Sequence, residues 1–235
     1  MTERIERRGL RISGWLGLLG ALGVGIGEFT MQFSPQGGYE VSDYGYFLEI
    51  SSLRLAWGHF LGVFAAPLYL AGYLHVFLAL RPAPAWLRWA VLLLGGYGFV
   101  IGGVWLGSRV YLALIAQAAA GSAEPLLLGT LLDQAAARNE PLIAVVRVLV
   151  GFASILLVVA IVSGRSLYPR WMALFNPIVL LGVIFASYFL LPSVGVYLLP
   201  TAMNVAHFVF FALSLGVLRG SGLESPMAAS RTQVA

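Results

Sequence analysis

Apolar stretches alternate with short polar segments along almost the whole chain of 235 residues. Most of these stretches reach the length of about 20 residues that one α-helical crossing of a bilayer requires. The hydropathy pattern predicts six spanning helices and so an all-α, polytopic membrane protein. Their approximate ranges are 12–33, 53–80, 86–118, 141–163, 171–191 and 196–218. No polar stretch is long enough for a second core, so we expect a single six-helix transmembrane domain over 1–219.

Proline and polar clusters mark the breaks between these helices. Pro67 is expected to kink the second helix because it lacks a backbone N–H. Pro177 lies inside the fifth predicted helix, and the segment 192–195 is predicted to be a tight turn. The polar segment 34–52 forms the first loop, and a short amphipathic helix is predicted at 125–137.

The composition agrees with a membrane protein. Hydrophobic residues make up 60% of the chain and charged residues 10%, whereas soluble domains carry about 25% charged residues. The absence of cysteine excludes disulfides, thiolate metal sites and cysteine nucleophiles. All 14 basic residues are arginines scattered near helix ends, so the net charge of +4 does not indicate nucleic-acid binding. The tail 220–235 is polar and rich in small residues, and we expect it to be disordered.

The placement of the arginines predicts the orientation of the bundle. Most of them precede the first helix, follow the sixth, or lie between helices two and three or four and five. The loops on the opposite side are mainly acidic, with Arg54 at the membrane edge, where its removal is expected to cost little stability. Because cytoplasmic loops carry an excess of basic residues, both termini are expected in the cytoplasm. We therefore expect a multi-pass protein of the inner (plasma) membrane.

One carboxylate, Glu28, lies near the far end of the first apolar stretch, with no other charge nearby in the sequence. A charged group inside a bilayer is costly, so a functional role with a polar partner is the first hypothesis for it. Other helices supply the candidate partners, which are His59, Arg109, Arg147, Asn204 and His207.

Helix direction places all of these polar residues in one band outward of the midplane, at a rise of about 1.5 Å per residue. Asn204 and His207 are three positions apart and share a helix face. Lipid offers such groups no partners, so we expect them to converge on the bundle interior. The sequence therefore predicts a polar pocket in the outer half of the bilayer, covered by Tyr39, Tyr44 and Tyr46 of the first loop.

In one interpretation, the protein is a membrane-embedded enzyme that acts on a lipophilic substrate by acid/base chemistry. Glu28 would then be the general acid or base, with His59 and His207 as its proton partners. Aromatic side chains would line the apolar part of the site and stabilise developing positive charge. These are Trp57, Trp105, Tyr111 and Phe208.

Two further interpretations remain open. The protein binds or transports an anionic amphiphile, with Arg109 and Arg147 as a clamp for its carboxylate or phosphate and Asn204 beside them. Alternatively, it is a structural or partner-binding subunit in which Glu28 only neutralises one of these arginines. A membrane lipid or another lipophilic small molecule is the expected partner in the first two cases.

Several known chemistries have no motif in this chain. There is no histidine-rich metal motif, P-loop, dinucleotide fingerprint or nucleophile elbow. There is also no lysine for a retinal Schiff base. We therefore expect neither a metal nor a cofactor.

Glycines four residues apart recur in the predicted helices, and such faces let two helices approach closely. The pairs are Gly23–Gly27, Gly58–Gly62, Gly98–Gly102 and Gly103–Gly107. Packing within one chain is the favoured interpretation, and a homo-oligomer built through one of these faces is the alternative.

Three short motifs resemble a family of small, uncharacterised bacterial multi-pass integral membrane proteins. They are Gly27-Glu28, Gly72-Tyr73-Leu74-His75-Val76 and Asn204-Val205-Ala206-His207-Phe208. The resemblance covers most of the spanning region. It implies a membrane-embedded helical fold, and since that family has no assigned activity, it implies no catalytic residue.

Overall fold

A computed structural model describes residues 2–37, 39 and 44–220. Eight α-helices account for most of these residues, and no β-strand occurs among them. The helices are Thr2–Gln32 (α1), Ser52–Ala65 (α2), Leu68–Ala79 (α3), Ala85–Gly121 (α4), Pro125–Val162 (α5), Pro177–Leu190 (α6), Pro192–Leu198 (α7) and Ala202–Gly220 (α8). The tail 220–235 was predicted to be disordered, and its residues after Gly220 lie outside the described part of the chain.

The described helices confirm the all-α class. Five segments are long and apolar enough to cross a membrane: Arg8–Gln32, Ser52–Ala79, Ala85–Gly121, Pro125–Val162 and Pro192–Arg219. Helix α6 is also apolar, but its 14 residues fall short of the usual crossing length of about 20. The count of six crossings and the cytoplasmic position of the termini therefore stay predictions.

The two ends of the described chain lie at the same end of the bundle. Arg219, near the end of α8, lies with its guanidinium carbon 4.9 Å from the centre of the Trp15 ring in α1. Asn204, at the beginning of α8, contacts Glu28 near the end of α1, so these two helices are antiparallel. The described part of α1 and α8 is therefore consistent with both of its ends lying on one side of the bundle.

The second predicted helix is interrupted at Pro67, where a kink was predicted. Helix α2 ends at Ala65 and α3 begins at Leu68, and together they form one apolar segment. Proline interrupts the ladder here because it has no N–H to donate and its ring crowds the preceding turn.

The prediction of a separate amphipathic helix at 125–137 was wrong. Helix α5 runs without interruption from Pro125 to Val162 and contains Pro141 in its interior. A single proline removes one hydrogen bond from the ladder, and α5 packs along its length against α4. At about 1.5 Å per residue each helix of this hairpin exceeds 50 Å, so it extends well beyond a hydrocarbon core of about 30 Å.

Two boundaries in the last third of the chain also differ from the prediction. The fifth predicted helix is a 3₁₀ segment, Arg170–Phe175, followed by α6, in which the backbone N–H of Ile178 donates to the capping side chain of Asn176. The predicted turn at 192–195 is instead the first turn of α7, and a 3₁₀ turn at Leu199–Thr201 leads into α8. The reason is the same in both places: proline suits the first position of a helix, where no N–H is needed.

Glycines bring α1 and α2 into close contact. A Cβ atom on Gly27 would lie 2.6 Å from the backbone nitrogen of Gly62 and 2.7 Å from the carbonyl oxygen of Gly58. Real side chains do not tolerate such distances, so the helices could not cross this closely with any larger residue there. These two glycine faces are thus used for packing within the chain, and homo-oligomerisation through a glycine-rich face remains a prediction.

Candidate functional site

A partly open cavity of about 400 Å³ lies between α1, α4 and α5 on one side and α6 and the beginning of α8 on the other. Its first wall is polar and aromatic, and its second wall is apolar. The polar side is formed by Glu28, Gln32, Tyr39, Tyr44, Tyr46, Trp105, Arg109, Glu140 and Arg147. The apolar side is formed by Ile143, Leu181, Phe185, Leu199, Pro200, Ala202 and Met203.

Arg109 of α4 is the centre of the polar wall and is only 5% exposed. Its Nη1 donates to Oε1 of Glu140 in α5 at 2.6 Å, which forms an ion pair. Its Nη2 donates to Oε1 of Gln32 at 3.1 Å and also to the hydroxyl of Tyr46. Charge-assisted hydrogen bonds of this kind are about twice as strong as neutral ones, so Arg109 ties α1, α5 and the first loop to α4.

Three aromatic rings surround the same guanidinium. Its Cζ lies 5.3 Å from the ring centre of Tyr44, 5.4 Å from that of Phe47 and 5.0 Å from that of Trp105. All three distances are within the range of about 6 Å in which a ring attracts a cation. The positive charge of Arg109 is therefore already balanced by protein groups.

Glu28 accepts hydrogen bonds from two amide groups. Nε2 of Gln32 donates to its Oε1 at 3.2 Å, and Nδ2 of Asn204 donates to its Oε2 at 2.6 Å. Oδ1 of Asn204 in turn accepts from the hydroxyl of Tyr69 at 2.6 Å. A continuous hydrogen-bonded chain thus runs from Glu140 at the rim of the cavity to the fully buried Tyr69.

The first loop is fixed against this chain. Tyr44 donates its hydroxyl proton to Oε1 of Glu140 at 2.8 Å. Nε2 of Gln117 in α4 donates to the carbonyl oxygens of Phe47 and Ile50 at 2.8 and 2.7 Å. Burial raises the pKa of Tyr46 to about 12, although the neighbouring Arg109 opposes the shift. Burial and the contact with Glu140 also raise the pKa of Tyr44, so both hydroxyl groups keep their protons at neutral pH.

Arg147 differs from Arg109 in its surroundings. It lines the cavity, its side chain is exposed, and no carboxylate among the described residues lies within ion-pairing distance of it. It lies two turns, or about 10 Å, beyond Glu140 along α5. Arg147 is therefore a cation at the cavity wall whose charge no neighbouring side chain balances.

The two histidines assigned to proton transfer do not contact Glu28. Nδ1 of His207 donates to the carbonyl oxygen of Met203 at 2.8 Å, so its Nε2 accepts from the hydroxyl of Tyr73 at 3.0 Å. His59 packs against the rings of Phe60 and Tyr111, and its Nδ1 has no partner. Neither histidine lines the cavity.

Three of the predicted aromatic residues also lie away from the site. Trp57 is 67% exposed and Tyr111 is 61% exposed, and neither lines the cavity. Phe208 lines a separate groove between α1 and α8. Of the four aromatic residues predicted to line the apolar part of the site, Trp105 lies at the cavity wall, and Tyr39, Tyr44 and Tyr46, predicted to cover the pocket, lie there too. The structure thus brings Glu28, Arg109, Arg147, Asn204 and Trp105 together, and leaves His59, His207, Trp57 and Tyr111 outside.

Three polar residues of the site were missed from the sequence: Gln32, Glu140 and Tyr69. A signal existed for two of them. Gln32 is four residues from Glu28, so the two side chains share a helix face. Glu140 is seven residues from Arg147 and was set aside as a loop residue because α5 was expected to begin after it. Tyr69 carries no such signal, since buried tyrosine is common in apolar helices.

A second buried polar cluster lies at the opposite end of the bundle. Nδ1 of His75 donates to the carbonyl oxygen of Leu10 at 2.7 Å. Its Nε2 therefore accepts from the hydroxyl of Ser214 at 2.6 Å. The hydroxyl of Tyr168 lies 2.9 Å from the same serine oxygen. His75 and Ser214 have no exposed surface, so this serine–histidine pair joins α1, α3 and α8 without access for a substrate. No group of three potential metal ligands occurs in the described chain.

These features define an all-α bundle of membrane-spanning type with an open, two-sided cavity and a buried ionic core at one end. The chain belongs to a family of unknown function (DUF6796), whose model matches residues 9–219. This match confirms the resemblance to an uncharacterised family over most of the chain. No curated protein and no solved structure matches it.

Proposed function

We propose that the protein binds a lipid-like amphiphile whose head group is a carboxylate or a phosphate. The observation that carries this proposal is Arg147, the unpaired cation at the wall of a cavity with one polar and one apolar side. An anionic head group would supply the partner that this guanidinium lacks. Arginine is well suited to this because its planar fork binds both oxygens of such a group.

The shape of the cavity supports an amphiphile over a small polar ion. Leu181 and Phe185 of α6 face the cavity opposite the polar wall. An alkyl chain lying against them would remove apolar surface from water, at about 25 cal/mol per Å². A head group at Arg147 and a chain along α6 would therefore use both walls at once.

Arg109 has a different role in this proposal from the clamp predicted by the sequence. Its donors already engage Glu140, Gln32 and Tyr46. Binding a ligand through Arg109 would require some of these bonds to break. The head group therefore binds Arg147, while Arg109 holds the first loop and α5 in position.

The test uses probes that share one alkyl chain and differ in head group. The protein is purified in a neutral maltoside detergent and titrated with dodecyl phosphate, dodecanoate and dodecyltrimethylammonium, with affinity followed by the shift in melting temperature. The anionic probes should stabilise the protein and the cationic probe should not. Arg147→Gln should weaken anion binding about tenfold or more, since a hydrogen bond to a charged group contributes about 1.5–3 kcal/mol.

Arg138→Gln is the matched control. Arg138 lies on the same helix, is exposed and does not line the cavity, so this variant removes the same charge elsewhere. It should bind the anionic probes as the unaltered protein does. Equal loss in both variants would mean that only the overall charge attracts the probes, and no binding by the unaltered protein would contradict the proposal.

A second candidate function is acid/base chemistry on a bound lipid, and one observation favours it. Glu28 lines the large cavity and is also on the wall of a deeper one, so a ligand would lie beside its carboxylate. The proton partners would have to come from the ligand or from water, because the two histidines lie elsewhere. An enzyme would accumulate unconverted lipid in Glu28→Gln, so mass spectrometry of co-purified lipids should differ between the variant and the unaltered protein. Identical profiles would exclude this function.

A further inference from the structure

A second, smaller cavity of about 50 Å³ continues from the first toward the middle of the bundle. The two share four wall residues, Glu28, Trp105, Ile143 and Met203. The remaining wall is almost entirely apolar and consists of Val24, Ala66, Tyr69, Phe99, Gly102, Gly103, Leu106, Val146 and Asn204. We call this space the deep pocket.

The polar atoms on its wall leave little for a water molecule to bind. Asn204 is bonded to both Glu28 and Tyr69. Among the described wall residues, the indole nitrogen of Trp105 is the buried side-chain atom without a partner. Beyond the shared mouth, where Glu28 and Trp105 lie, the polar side chains of the wall bond to each other, so an apolar occupant suits that inner part of the deep pocket better.

Two glycines of α4 keep this space open. A Cβ atom on Gly102 would lie 3.7 Å from Val146 Cγ2, and one on Gly103 would lie 3.5 Å from Ala66 Cβ, both ordinary contact distances. This differs from Gly27, where a Cβ atom would collide with the backbone of α2. Helix packing therefore demands glycine at Gly27 but not at Gly102 or Gly103, where its effect is to leave volume unfilled.

We propose that the deep pocket receives the end of the ligand's alkyl chain and that Gly102 and Gly103 set the chain length the protein accepts. This inference rests on the proposed function, because the chain must enter from the large cavity that holds the head group. The four shared wall residues make that route continuous. A slender, unbranched chain fits a passage bounded by Trp105 and Met203.

The test measures affinity for fatty acids of increasing length, from octanoate through dodecanoate to octadecanoate, in neutral detergent. Gly102→Val fills the deep pocket from α4, and Ala66→Val fills it from the break between α2 and α3, so one variant can replace the other if either does not fold. Gly107→Val is the matched control. Gly107 lies about one turn further along α4, has similar space, with a Cβ atom 3.6 Å from Val63 Cγ2, and lines neither cavity.

The unaltered protein and Gly107→Val should bind the longer acids more tightly. Each methylene that no longer fits costs about fourfold in affinity, so Gly102→Val should bind octadecanoate about tenfold more weakly or worse. Its affinity for octanoate should be unchanged. If the unaltered protein binds fatty acids but neither filling variant changes the length preference, the inference is wrong while the proposed function stands. If the unaltered protein binds none of them, the proposed function itself fails.

Discussion

Glu28 and Arg109 are joined through the side chain of Gln32 and make no direct ion pair. Arg109 donates to the amide oxygen of Gln32 at 3.1 Å, and the amide nitrogen of Gln32 donates to Glu28 at 3.2 Å. The direct carboxylate partner of Arg109 is Glu140. Glu28 is therefore held by amide groups, and neither cavity arginine contacts its carboxylate.

The hydrogen bonds that Asn204 and Gln32 donate to Glu28 can be tested by exchanging donor and acceptor. Glu28→Gln alone sets an amide NH₂ group against the NH₂ of Asn204 or of Gln32, and Asn204→Asp alone sets two carboxylates side by side. Each single variant should lose about 1–3 kcal/mol of stability, the cost of an unsatisfied buried group. The combined variant reverses the donor and acceptor and should recover most of that loss. The measurement is the melting temperature of all four proteins in one detergent.

Additivity would contradict this account. If the losses of Glu28→Gln and Asn204→Asp simply sum in the combined variant, the two side chains do not exchange a hydrogen bond. Residues in direct contact show coupling energies of about 0.5–3 kcal/mol, whereas distant ones show almost none.

The ion pair of Arg109 predicts a dependence on Glu140. Glu140→Gln keeps an acceptor atom but leaves the buried guanidinium without its carboxylate, so stability should fall by about 2 kcal/mol. Glu124→Gln is the control, because Glu124 is exposed and its side chain caps nothing. Equal melting temperatures for the two variants would show that the rings and Gln32 suffice to hold Arg109.

Arg54 is expected to contribute more to stability than its position at the membrane edge indicates. Its Nε donates to the carbonyl oxygen of Thr30 at 3.1 Å and its Nη2 to that of Phe33 at 2.9 Å. These carbonyl groups lie at the end of α1, where helix oxygens lack partners and a positive charge is favourable. Arg54→Ala should therefore cost about 1–2 kcal/mol, and Arg138→Ala should cost much less. A negligible effect of Arg54→Ala on the melting temperature would instead support the expectation from the sequence that its removal costs little stability.

The position of each polar residue along its helix can be read from the sequence, but its direction around the helix cannot. Asn204 and His207 were expected to act together because they share a face. In the structure Asn204 meets Glu28, whereas His207, one turn further along α8, meets Tyr73. His59 and Tyr111 contact each other on the outer surface, away from the cavity. Angular position depends on how each helix is rotated against its neighbours, and in a chain hydrophobic on all sides the periodicity does not reveal that rotation.

Several predicted helix boundaries were wrong for a related reason. Pro141 was predicted to begin the fourth helix, Pro177 to lie inside the fifth, and Pro192 to lie in a tight turn. Two of them occupy the first position of a helix and the third lies inside one. The presence of a proline alone does not distinguish these cases. Its missing N–H costs stability inside a helix, where a carbonyl group four residues earlier loses its donor, but not at the first position. Because α5 was expected to begin after Glu140, that residue was not included in the predicted site.

The burial of Tyr46 predicts a dependence on alkaline pH. Its pKa is raised to about 12 in the folded protein from an ordinary value of 10.0, so the unfolded chain releases this proton first. The stability that the neutral hydroxyl contributes is complete below the unfolded value and is lost as the pH rises toward 12. Melting temperature should therefore fall more steeply above pH 10 in the unaltered protein than in Tyr46→Phe. The same substitution at the exposed Tyr97 should leave that slope unchanged.

The antiparallel contact of α1 and α8 makes the topology testable in a chain that has no cysteine. Since Arg219 packs on Trp15, both ends of the described chain should face the same side, and the arginine distribution predicts that this side is the cytoplasm. In intact cells, an impermeant maleimide should label Ser122→Cys, between α4 and α5, and should not label Gly9→Cys, Arg165→Cys or Arg219→Cys until the membrane is opened. If α6 did not cross, the chain would make five crossings and Arg219→Cys alone would change sides. Labelling of Arg219→Cys from outside, with Gly9→Cys and Arg165→Cys still protected, would therefore contradict the six-crossing arrangement, because α8 could not then lie antiparallel to α1 within one bundle.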